Sequence, residues 1–74
     1  TTEQAIEVIK KNIKNLEDWK DISYLIPKKF KKSENLRKTG LASFFAASLE
    51  LTKNGLLSIL EKKSFDKILI KERK

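Results

Sequence analysis

The sequence predicts a small, mainly α-helical domain closed by a β-hairpin, an α+β chain in the order helix, helix, helix, strand, strand. Three observations carry this expectation: the proline-free run of helix formers from Leu41 to Gly55, two shorter helix-like stretches ahead of it, and two segments of alternating apolar residues behind it. Residues 1–74 make one domain, with room for a single small core.

Taken in order, Thr1 and Gln4 have the spacing of a capping box, and Ala5, Ile6, Ile9, Ile13 and Leu16 follow on one stripe at helical spacing. This is the first helix. Trp19 breaks the pattern and is large enough to serve as a core plug. Asp21 is placed to cap a short second helix carrying Ile22, Leu25 and Ile26, which must end before Pro27 because a residue preceding proline avoids helical angles. Lys28 to Lys32, KKFKK, is a basic loop with two readings. Its lysines could grip phosphates while Phe30 stacks on a base, or the lone aromatic folds back onto the core, which is its commoner use.

The central helix starts near Ser33 as N-cap and runs for about twenty residues to Gly55, which fits the left-handed position that closes a helix. Behind it, Leu57 to Glu61 and Ile68 to Lys71 alternate in strand fashion. They form a hairpin. Leu57, Ile59, Ile68 and Ile70 face inward, Leu60 and Leu69 face outward, and Phe65 tucks under the turn. The Lys71 to Lys74 tail is expected to fray.

At about 100° per residue, Leu36, Phe44, Ala47 and Leu51 fall on one side of the central helix, with Leu41 at the margin. That is an ordinary core face. Phe45 and Leu49, one turn apart with Ala42 beside them, point well away from it, and only Thr39, Ser43, Glu50 and Lys53 form a polar strip. A helix apolar around so much of its circumference needs covering twice. The second cover is either the rest of the domain or a protein partner.

Composition narrows the function classes. There is no cysteine and no histidine, which removes thiolate metal sites and the commonest general base. No catalytic residue, cofactor or metal site is expected, and Asp18 and Asp21, three apart among lysines, are a poor basis for an enzyme. No apolar run approaches the roughly 20 residues of a membrane span, so the chain is expected to be cytoplasmic and without a membrane partner. Its Thr-Thr start without methionine reads as a piece of a longer protein. The net charge of +7 is unevenly placed. Residues 1–27 carry −1, residues 28–38 carry +5, residues 39–55 are neutral and residues 56–74 carry +3.

Helix, helix, helix, strand, strand is the winged-helix order, and the residues also resemble a family. Leu41-Ala42-Ser43-Phe44-Phe45-Ala46-Ala47-Ser48-Leu49-Glu50-Leu51, then Gly55, then Phe65-Asp66-Lys67-Ile68, is similar to the C-terminal domain of bacterial segregation and condensation protein A (ScpA), the kleisin of the SMC–ScpA–ScpB complex. Upstream, Asp18-Trp19-Lys20-Asp21-Ile22 and Leu25-Ile26-Pro27 resemble the family's tryptophan and Leu-Pro pair, so the likeness spans about residues 18 to 70. Two positions depart from the pattern. The family's hairpin-turn glycine is Asp66, and its glutamine at the end of the first wing strand is Glu61.

The resemblance implies a winged helix that docks on the ATPase head of an SMC protein and helps close a ring in chromosome segregation and condensation. ScpB would bind a middle region outside these residues, DNA contact would be weak or indirect, and the complex would be nucleoid-associated. The alternative is a winged-helix DNA-binding transcriptional regulator. A base-reading third helix, however, presents Arg, Lys, Asn and Gln to the major groove. Here that surface offers Ala42, Ser43, Phe45, Ala46, Leu49 and Glu50. The expected partner site is therefore Phe45 and Leu49, extended by Ala42 and Ala46 and by Leu60 and Leu69 on the hairpin. Lys28, Lys29, Lys31 and Lys32 are expected to give weak, non-specific nucleic-acid binding.

Overall fold

The computed structural model describes residues 1–62 and 67–74. Among them it has two α-helices and a three-stranded antiparallel sheet, in the order α1 (Thr2–Lys11), β1 (Lys20–Asp21), α2 (Glu34–Lys53), β2 (Leu57–Lys62) and β3 (Lys67–Glu72). This mixed α+β arrangement is compatible with a small winged-helix-like domain, but it is not the expected three helices and two strands.

The capping box at the start of α1 is present, with the Gln4 N–H donating to the Thr1 hydroxyl at 3.2 Å. Ala5 and Ile9 are buried, and the stripe continues into a 3₁₀ turn, Ile13–Leu16, that buries Leu16. Sequence periodicity carries through, although the α-helical hydrogen bonding stops at Lys11.

The predicted second helix is instead a single 3₁₀ turn, Ile22–Leu25. Asp21 does cap it, accepting from the Ser23 N–H at 2.9 Å, but Asp21 is also paired with Leu69 in β1. The chain between that pairing and Pro27 is too short for two α-turns, and Ile26 is extended as a residue before proline must be. Strand β1 is the other half of this correction. It adds to the hairpin through Lys20 opposite Ile70 and Asp21 opposite Leu69, giving the strand order β1-β3-β2.

Trp19 is not the core plug expected of it. It stands just before β1 at the sheet surface, 37% exposed, with the Lys71 ammonium 5.7 Å from its ring centroid. Continuing the β1 register by one residue sets Trp19 across from Lys71, on the sheet face turned away from the core. A period-two strand decides its orientation more strongly than its bulk does.

Helix α2 follows its Ser33 cap, whose hydroxyl accepts from the Leu36 N–H at 3.1 Å. Its buried stripe is Gly40, Phe44, Ala47, Ser48 and Leu51. Leu36, placed on the core face by periodicity, is 43% exposed in the helix's first turn. Ser48 takes a core position because its hydroxyl donates to the Phe44 carbonyl at 2.8 Å, leaving no polar atom unsatisfied. Gly40 lets the helix approach the preceding loop: a Cβ there would lie 3.0 Å from Phe30 and 3.2 Å from Ile26.

Gly55, at φ +82°, ends the helix as expected. Its N–H donates to the Thr52 carbonyl, and the Leu56 N–H donates to the Leu51 carbonyl at 2.9 Å, the two bonds of a Schellman closure. The hairpin then pairs Ile59 with Ile70 and Leu60 with Leu69. Leu57, Ile68 and Ile70 complete the core with Phe44 and Leu51. The expected positions of Phe65 and Asp66 lie outside the described residues.

Candidate interaction surface

The chemistry available to this chain is set by what α2 leaves uncovered. Phe44 and Phe45 are neighbours in sequence, but a helix turns by about 100° between them. Phe44 is 3% exposed and central to the core, whereas Phe45 is half-buried at the core's edge. Phe45 lines a shallow groove of about 270 Å³ together with Lys38, Leu41, Ala42 and Ile68. One turn on, Leu49 is 46% exposed.

The groove brings together two of the six predicted partner residues, Ala42 and Phe45. Leu49 and Ala46, both exposed, continue α2 beyond it. Leu60 and Leu69 do face outward as a directly opposed cross-strand pair. They sit on the sheet face opposite Ile59 and Ile70, however, and the hairpin borders the groove through Ile68 instead. The outer sheet face, with Trp19 and Lys71 beside those leucines, is thus a separate patch.

Leu41 is the residue that sequence reading undervalued. Assigned to the margin of the core, it is 39% exposed and lines the groove, making Leu41, Phe45 and Leu49 one continuous apolar edge. Their spacing of four was the available signal.

The basic stretch is a 3₁₀ turn, Lys28–Lys31, packed on α2. Of the two readings of Phe30, the inward one holds: its ring is packed against the core and against Gly40. The Phe30 N–H donates to the Pro27 carbonyl at 3.0 Å, fixing the turn. Lys28, Lys29, Lys31 and Lys32 are all left exposed.

The two carboxylates weighed for catalysis are occupied locally. Asp18 accepts from the Trp19 N–H at 2.8 Å and Asp21 from the Ser23 N–H at 2.9 Å. Among the described residues there is no cluster of three or more acidic, histidine or cysteine side chains that could hold a metal ion, and no helix long and apolar enough to cross a membrane.

No protein-family model matches the chain, and no curated protein matches it either.

Proposed function

We propose that this chain is a non-catalytic docking domain of winged-helix type whose occupant is the ATPase head of an SMC protein, within a ring that acts in chromosome segregation and condensation. The observation that carries the docking reading is the apolar edge of Leu41, Phe45 and Leu49 on the longest helix, with both leucines exposed and Phe45 half-buried at the core's edge. Partner interfaces use such anchors, an aromatic and a leucine in a setting of small residues, here Ala42 and Ala46. The winged-helix assignment is supported by a long helix followed directly by a hairpin, with a short preceding strand added at β3. The 3₁₀ turns Ile22–Leu25 and Lys28–Lys31 stand where such a fold has its second helix. The choice of an SMC head rests on the sequence resemblance.

The face of α2 around Phe45 carries no Asn, Gln or Arg, so base reading has little to work with. Leu49→Arg is the decisive variant, because Leu49 is exposed and its replacement leaves the core intact. Arginine there would have to be desolvated in an apolar contact, and binding to the isolated SMC head, followed by titration calorimetry, should be lost while the melting curve is kept. A folded Leu49→Arg domain that binds the head with parental affinity would sink the proposal. Phe45→Arg should lose binding too, but Phe45 touches the core, so its melting temperature should also fall.

A further inference from the structure

We infer that the end of the molecule around the first two turns of α2 is a second binding surface, one that takes the phosphate backbone of duplex nucleic acid without reading its bases. It is independent of the docking reading. The charge there is assembled from two adjoining segments. The Lys28–Lys31 turn and Lys32 contribute four exposed lysines, and Arg37 and Lys38 follow on α2. Lys62 and Lys67, directly opposite each other in the β2–β3 ladder, share the outer sheet face with Leu60 and Leu69 and stand apart from this cluster.

Among the described residues one acid stands among these six cations: Glu34, which pairs with Arg37 at 3.7 Å. The five lysines have no ion-pair partner among the described residues. A chain uniformly rich in lysine would spread this charge, but residues 1–27, which build α1 and β1, carry a net −1. The positive end is therefore a local feature.

The kind of ligand follows from the side chains. Phe30 is turned onto Gly40, which removes the only aromatic of the turn from stacking on an unpaired base. What remains is lysine, a flexible point charge without the fork geometry that reads guanine. Such a surface binds regularly spaced phosphates and is indifferent to sequence. Lys38 also lines the groove of Leu41 and Phe45, so the duplex surface and the docking surface meet at that residue.

The test is fluorescence anisotropy of two labelled duplexes of unrelated sequence, titrated with the domain across a salt series. Equal affinity for both is expected, falling about 10²–10³-fold between roughly 50 and 200 mM salt, as four to six neutralised phosphates require. Replacing Lys28, Lys29, Lys31 and Lys32 together by Gln should weaken binding at least tenfold at low salt and flatten the salt slope. The matched control replaces Lys10, Lys11 and Lys14, exposed cations of the α1 region, and should leave affinity within about twofold, with circular dichroism confirming that every variant folds. Undetectable binding at low salt, a preference for one sequence, or an equal loss in the control would each overturn the inference. So would displacement of the duplex by a polyglutamate peptide at lower concentration than by unlabelled duplex, which would assign the surface to an acidic protein.

Discussion

The two long edges of α2 both carry apolar residues and meet different fates. On one, Gly40, Phe44, Ala47, Ser48 and Leu51 are buried against α1, the Lys28–Lys31 turn and β2. On the other, Leu41 and Leu49 are exposed and Phe45 is half-buried at the core's edge, with Ile68 lining the same groove. Hydrophobicity does not distinguish the two. The buried edge contains a glycine and a serine, and the exposed edge contains two leucines and a phenylalanine. What separates them is close approach: Gly40 lets the Lys28–Lys31 turn come within contact distance, while Leu41 and Leu49 on the bulkier edge are left exposed.

The strongest way to test this contrast is to truncate each edge and compare the melts. Phe44→Ala or Leu51→Ala should destabilise the domain by about 3–5 and 2–5 kcal/mol respectively, since both are almost wholly buried. That would leave so small a domain marginal. Urea denaturation followed by circular dichroism reads this directly, and an unchanged midpoint would remove the residue from the core.

Gly40→Ala should be a smaller effect of unexpected sign. In an open helix, alanine in place of glycine stabilises by about 1 kcal/mol. Here the new methyl would meet Phe30 at 3.0 Å and Ile26 at 3.2 Å, and overpacking costs about 1–3 kcal/mol, so a net loss is expected. A higher midpoint than the parent would mean that the turn yields easily and that close approach is not what holds it.

The exposed edge should respond least. Leu49→Ala is expected to shift stability by no more than about 0.5 kcal/mol, and the same variant should weaken partner binding measurably. A core-sized loss of stability at Leu49 would break the comparison, because it would show that both edges belong to one core.

Much of this protein was legible in its sequence, because the determining interactions are local. The Thr1–Gln4 capping box, the Asp21 and Ser33 caps and the closure at Gly55 are all made within a few residues, and each was read at its correct place. The inward and outward alternation of Leu57 to Leu60 and Ile68 to Ile70 is likewise a property of the strand itself. The outward placement of Phe45 and Leu49 follows from the helical period, although the half-burial of Phe45 does not.

Tertiary structure decided the features in which residues distant in the chain compete. Two residues, Lys20 and Asp21, add to β3, and no two-residue run carries a recognisable strand pattern. That pairing turned Trp19 outward and shortened the expected second helix to a single 3₁₀ turn. Burial of Ser48, exposure of Leu36 and Leu41, and the seating of Phe30 on Gly40 depend on which element lies across from each position. Periodicity can name the faces of a helix, but only the packed neighbours determine which face is covered and how far along it the cover reaches.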